Sequence, residues 1–436
     1  MIHITELTMK TLFNLSLCLF LLYFPTNAQT ISIQNSPPLV EAAPESAGMS
    51  PERLSRIDFM INSAIDEGQI PGAVAFIARN GKIVYHKAFG MADQQAGKAM
   101  EKDAIFRIAS QTKAITSTAV MMLWEEGKFQ LDDPISKYIP EFKSPQILDS
   151  LIEADTSYIT TPAENEITIR HLLTHTSGIG YGMIDGDPRF TKIYQKAGII
   201  DAFTDQPVTI ADNIKKLAKL PLHHEPGERF TYSEGLDVLG YFVELQSGMP
   251  FDEFLRTRIF EPLDMEDTWF YLPESKEERL VTVQTKDGDK WVPFTSEGYE
   301  VEYPVKGAKA FFSGGAGLSS TAEDYAKFLQ MYLNGGELNG VRLLSRTTVR
   351  SIMSNQIGEI WGPGYFYGLA FGVIDLHGQG MGGRGSQGTF DWGGYFNTQY
   401  FADPKEKMIG IIMKQTQGDS NDQTGWKFRQ MAGAAI

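Results

Sequence analysis

Asn80-Gly81 divides two apolar runs, Gly72–Arg79 and Lys82–Ala88. Asn-Gly supplies the positive φ angles that a two-residue hairpin turn needs, so this stretch is read as two antiparallel strands. A helix precedes it over residues 52–67, where Leu54, Ile57, Met60, Ile61 and Ile65 recur at helical spacing. Strand patterns return only near the other end, at Tyr367–Asp375, Gly388–Gly394, Asn397–Ala402 and Met408–Lys414, before a closing helix over Gln423–Ala434. The middle reads as helices at Thr112–Glu126, from Ile169, at Gly235–Gln246 and at Thr321–Leu333. The stretches Phe142–Glu166 and Leu272–Val305 read as irregular. The expected fold is therefore α/β (α+β): one antiparallel sheet formed from both termini and flanked by helices, with a large, mostly helical region (about 102–305) inserted. Catalytic residues are expected in the cleft between the two parts.

Lys10, the apolar run Thr11–Phe24, and small residues at Thr26 and Ala28 have the layout of a secretory signal. Residues 1–28 are read as that signal, 29–46 as a linker and 47–436 as the folded domain. The mature protein is thus expected to be exported, periplasmic or extracellular. The apolar run is shorter than the ~20 residues of a membrane span, so no stable membrane anchor is expected. Cys18 is the only cysteine and falls within the signal; Leu17 before it is too bulky for a lipoprotein signal. Lys+Arg number 39 against 54 Asp+Glu, a net charge of −15. Such a balance disfavours nucleic-acid binding, which needs a basic face.

Three local patterns carry chemistry. In Ser110-Gln-Thr-Lys113, a serine opening a helix is followed one turn later by a lysine on the same side. A serine hydroxyl needs a base beside it to act as nucleophile, and a desolvated lysine can lose its proton and serve. Taken alone, a capping serine before a surface lysine is the commoner arrangement, but here the lysine precedes an apolar helix face. In Tyr232-Ser233-Glu234, a tyrosine beside a cation is a candidate base; taken alone, a tyrosine packed at a helix start with Ser233 capping is the commoner arrangement. In Trp392-Gly393-Gly394-Tyr395, glycines in a strand mark a close backbone approach or a kink. A backbone N–H there, facing that of Ser110, would complete an oxyanion hole. No His-Glu-x-x-His spacing occurs, so no metal and no cofactor are expected. Ser177 and Ser386 lack the first glycine of Gly-x-Ser-x-Gly. Gly378–Gly388, with Arg384, opens no helix and is read as a loop near the cleft. Tyr365, Phe366, Tyr367, Phe390, Trp392 and Tyr395 are candidates for an apolar acyl pocket or for sheet core.

Together, Ser-x-x-Lys, Tyr-Ser-x and the late strand motif resemble the serine β-lactamase and penicillin-binding-protein superfamily. Leu131–Ile139, Leu172–Gly178 and Gly315–Ala322 resemble its class C branch. The resemblance runs from about Pro51 to Gln415. It implies a β-lactamase/transpeptidase-like fold and an acyl-enzyme on Ser110, with Lys113 and Tyr232 sharing the general-base role. It also implies an oxyanion hole from the backbone of Ser110 and Tyr395, and substrate contacts from Glu234, Trp392, Gly393 and Gly394. Two departures matter. Trp392-Gly-Gly replaces Lys-Thr-Gly, and Glu234 replaces the asparagine of Tyr-x-Asn. By resemblance, this removes the cation beside an antibiotic's carboxylate and the amide that binds its side chain. Trp-Gly-Gly is similar to the family VIII carboxylesterases. The implied partner is a small ester or amide, and the expected activity is hydrolysis of carboxylic esters. The alternatives are an amidase, D-aminopeptidase or weak β-lactamase of the same fold, and a non-catalytic penicillin-binding-like sensing module. The oligomeric state has no signature in the sequence.

Overall fold

Strands β2 (Gly72–Arg79) and β3 (Lys82–Asp93) form the expected hairpin, with Asn80 at φ 53° and Gly81 at φ 75°. They belong to a computed structural model that describes residues 30–31, 36–418 and 422–436. The signal segment and Cys18 lie outside the described residues. Strand β1 (Val40–Glu41) runs parallel to β3 at one edge. Strands β4 (Tyr365–Tyr367), β5 (Gly372–Ile374), β6 (Phe390–Gly394), β7 (Thr398–Asp403) and β8 (Met408–Met413) come from the other end of the chain. The sheet order is β4-β5-β6-β7-β8-β2-β3-β1, with Lys98–Ala99 added beside β3. The two chain ends meet where β8 pairs with β2, Met413 opposite Val74.

Both faces of this sheet are covered, which is why β2 and β8 are apolar throughout instead of alternating with polar residues. Val74, Phe76, Ala78, Ile409, Ile411 and Met413 point into the larger core. Ala73, Ala75, Ile77, Met408 and Ile412 point into a smaller one. The smaller core is closed by α1 (Pro51–Asp66) and α5 (Thr424–Ala434). Ser50 caps α1 by accepting from the Arg53 N–H at 3.2 Å. The larger core takes α2 (Thr112–Glu125), α3 (Gly235–Ser247) and α4 (Ala322–Leu333). Each fully buried Ile, Leu or Phe there contributes roughly 1.5–3 kcal/mol.

Several expectations need correction. The 142–166 stretch holds a hairpin, Gln146–Ile152 with Ser157–Pro162, and 272–305 holds a shorter one, Gln284–Asp287 with Lys290–Pro293. The run read as one strand over Tyr367–Asp375 is two short strands; Gly368 N–H donates to Phe371 O at 2.8 Å and turns the chain between them. Part of the 29–46 linker is structured, as β1 and a single 3₁₀ turn at Pro44–Ala47. The region between the two sheet halves continues helical past residue 305, through α4 and Arg346–Ile352.

Candidate active site

Ser110 sits in one 3₁₀ turn, Ala109–Gln111, that runs directly into α2. The turn is fixed from both sides. Phe106–Arg107 pairs with Ser319–Ser320, and the Ile108 N–H donates to Leu318 O at 3.0 Å. The Gln415 side chain, just past β8, accepts from the Arg107 N–H at 2.9 Å. The wholly buried Arg107 guanidinium donates to Val301 O, Val281 O and Glu302 at 2.6, 2.7 and 2.8 Å. Ala109 has φ 43°, a left-handed conformation that a residue with a Cβ adopts only under constraint. The constrained turn presents Ser110 beside the first N–H groups of α2, where a developing negative charge is favoured.

Lys113, the second residue of α2 and one turn after Ser110, is 1% exposed. Its Nζ donates to Gly315 O at 2.7 Å, to the Tyr181 hydroxyl at 2.8 Å and to Ser110 Oγ at 3.3 Å. Nζ thus has three oxygen partners, one of them the serine. The Gly315 carbonyl is itself held in place. Asp237 Oδ1 accepts from Ser313 Oγ at 2.6 Å and from the Gly315 N–H at 3.3 Å. A Cβ on Gly315 would lie 2.3 Å from Asp237 Oδ2, so only glycine fits this turn. Tyr181 has no counterpart in the sequence reading. It lies three residues beyond Leu172–Gly178, and that continuity was the available signal. Burial pushes its phenol well above the usual tyrosine range, so it stays protonated and cradles Lys113.

Tyr232 lies beside Tyr181 at Lys113, its ring centroid 4.6 Å from Nζ and 5.6 Å from that of Tyr181. Its hydroxyl accepts from the Trp392 indole N–H at 3.2 Å. Behind it, His175 is buried at φ 56°, its ring 4.7 Å from that of Tyr232 and its Nδ1 3.0 Å from Ser233 Oγ. Burial, then the Lys113 charge, lowers the His175 pKa and keeps the imidazole neutral. His175 thus acts as a brace for the Tyr232 segment. Of the aromatic candidates, Trp392 and Tyr367 pack together at 5.2 Å beside Tyr232, whereas Phe390 is core, against Phe371.

Glu234 departs from its expected place against substrate. It precedes α3 with its side chain turned into the interior, 1% exposed. Burial, then the neighbouring Asp201, raises its pKa well above the usual carboxyl range. The carboxyl is therefore neutral and does not repel an anion in the cleft.

Gly394 ends the β6–β7 ladder opposite Thr398, and Tyr395 is the first residue past it. A Cβ on Gly394 would lie 2.5 Å from Ile108 O. The absence of a side chain there lets the end of β6 abut the turn that carries Ser110, which brings Gly394 and the following Tyr395 beside that turn. Arg384 lies elsewhere, its guanidinium over the rings of Tyr365 and Trp426.

Residues 57–434 match the family described as Beta-lactamase. Esterase EstB of Burkholderia gladioli is 33% identical over 379 residues, covering 83% of this chain and 90% of that protein. Lovastatin esterase of Penicillium rubens is 30% identical, covering 81% and 91%. Among solved structures, EstCE1, described as a hydrolase with promiscuous acyltransferase activity, superposes with a TM-score of 0.74 at 28% identity, covering 88% of this chain and 98% of its own. The chain belongs to the β-lactamase family and is a carboxylesterase-like serine hydrolase.

Proposed function

We propose that the protein hydrolyses small, uncharged carboxylic esters through an acyl-enzyme on Ser110. The Ser110 hydroxyl attacks the ester carbonyl and gives up its proton to the Lys113–Tyr232 pair. That proton passes to the departing alcohol, and a water then repeats the sequence to release the acid. The backbone N–H groups of Ser110 and Tyr395 are assigned to the oxyanion. The observation that carries the ester reading is the Trp392 contact with Tyr232. An indole stands where a β-lactamase places a lysine, so a β-lactam carboxylate would be desolvated without a cation at that position. An uncharged ester has no such penalty and gains apolar contact. The esterase relatives support the same choice. The proposal includes export, with residues 1–28 removed.

A panel of p-nitrophenyl esters, D-amino-acid p-nitroanilides and a chromogenic cephalosporin tests this. Short-chain aryl esters are expected to be turned over far faster than the other two. A fluorophosphonate is expected to label Ser110, and Ser110→Ala to abolish labelling with the fold retained. Cephalosporin turnover equal to the best ester would overturn the ester reading. Amino-terminal sequencing of the exported protein should begin at Gln29.

A further inference from the structure

Strand β6 has two faces, and only one of them serves Ser110. Side chains alternate along a strand. Trp392 faces Tyr232, so Asp391 and Gly393 face the opposite side, toward α5. A cavity of about 420 Å³ lies there, between the sheet, α5 and the glycine-rich loop. That volume is in the range of sites for small organic molecules. Its floor is apolar, formed by Phe401, Ile412 and Phe428, and Gly393 adds no side chain to fill it.

The charged groups of this cavity do not balance. Arg384 lies over two aromatic rings, 5.9 Å from the Tyr365 centroid and 5.6 Å from that of Trp426. Among the described residues its guanidinium has no carboxylate partner. Trp426 is 52% exposed, a large aromatic surface left open at the rim. Deeper in, Arg429 is 9% exposed and donates to Asp391 Oδ2 at 2.6 Å and to the Arg384 carbonyl. Its Nε is buried with no hydrogen-bond partner among the described residues. The other Asp391 oxygen accepts from the Tyr365 hydroxyl. The cavity therefore holds two guanidinium groups but one carboxylate, Asp391, whose oxygens are engaged by Arg429 and Tyr365. This pocket is locally cationic in a chain of net charge −15. Arginine forks match carboxylates in plane, and arginines flanked by aromatic rings are held in position to do so.

We propose that this cavity binds a monocarboxylate carried on a flat apolar body, an arylalkanoate or similar acid. The carboxylate pairs with Arg384, and the ring lies on the apolar floor beside Trp426. Trp392 and Gly393 contribute to the cavity lining, but Ser110, Lys113 and Tyr232 do not. The proposal therefore stands whether or not the ester reading does.

Calorimetric and tryptophan-fluorescence titrations of the full-length Ser110→Ala protein with phenylacetate, phenylacetamide and acetate test it. Phenylacetate is expected to bind saturably at one site, with phenylacetamide and acetate each at least about tenfold weaker, because one lacks the charge and the other the ring. Arg384→Gln should weaken phenylacetate binding by about tenfold or more. Trp426→Ala, an exposed position that leaves the fold undisturbed, should weaken it and remove most of the fluorescence change. Equal binding of the amide, unchanged affinity in both variants, or no saturable binding by about 10 mM phenylacetate would overturn the proposal.

Discussion

Helices α1 and α2 have 16 and 14 residues but are held in place by opposite means. Helix α1 buries one stripe, Leu54, Ile57, Met60, Ile61 and Ala64, and shows the rest to solvent. Helix α2 is buried at every position from Thr112 to Leu123. Its threonines and branched residues are mediocre helix formers, so tertiary contacts hold it. Those contacts are specific. Thr116 Oγ1 donates to Gly314 O at 2.7 Å, Thr118 Oγ1 lies 2.7 Å from the Tyr332 hydroxyl, and the Leu318 N–H donates to Thr112 Oγ1 at 3.1 Å. An oily stripe tolerates exchange of one apolar residue for another. A helix stitched by buried hydrogen bonds holds Lys113 against its partners and tolerates much less.

The contrast can be broken at five places. The largest effect is expected at Lys113: Lys113→Ala should lower kcat/KM by on the order of 10²-fold or more, as should Tyr232→Phe. Tyr181→Phe keeps the ring and loses one Lys113 partner, so its loss should be smaller, about tenfold. Full activity in Lys113→Ala would remove the lysine from the chemistry. In α1, Ile57→Ala should cost about 2–5 kcal/mol in denaturant unfolding, while kcat/KM per folded molecule stays unchanged. An activity loss there would show that the two helices are coupled through the sheet. Thr116→Val should cost about 1–3 kcal/mol, because the Gly314 carbonyl is left buried without its donor, and kcat should fall as the Gly315 turn relaxes. An unchanged kcat would mean that Asp237 alone fixes that turn.

The smallest effect on activity is expected for Glu234→Gln, which instead shows in how stability depends on pH. The folded state holds the Glu234 proton more tightly than the unfolded chain does. Its contribution is therefore fully present below the unfolded carboxyl value, about pH 4.3, and is lost as pH rises through the raised folded value. Wild-type Tm should fall more steeply than that of the glutamine variant as pH rises from about 4.3 toward the raised folded value. Parallel curves would mean that Glu234 is ionised in the fold.

How much of this was legible in the sequence follows from the same contrast. The spacing in α1 and the Asn80-Gly81 turn are local patterns with a physical period, and both elements lie where that period places them. The hairpin at 146–162 has polar residues on both faces, because much of it is exposed, and so carries no alternation to read. Ser110, Lys113 and Tyr232 stood out through motif resemblance, and the structure brings them together. Tyr181 lies in a loop with no periodicity, and only the folded chain shows it meeting Lys113. Glu234 was misplaced for a related reason. Adjacency to Tyr232 says nothing about direction, and at the start of a helix successive side chains diverge by about 100°.

The pairing of Arg107 with Gln415 joins residues 308 positions apart, immediately beside the nucleophile. During synthesis Ser110 leaves the ribosome long before the strand that must brace it. The intervening helices can collapse early on local contacts, but the sheet closes only when β8 arrives to pair with β2. Such topologies fold slowly, because the long loop must be ordered before its contacts repay the entropy. A growing or truncated chain that stops before β8 therefore carries the serine and its lysine without the frame that aligns them. On the proposed mechanism, Ser110 is aligned for attack only in the finished molecule.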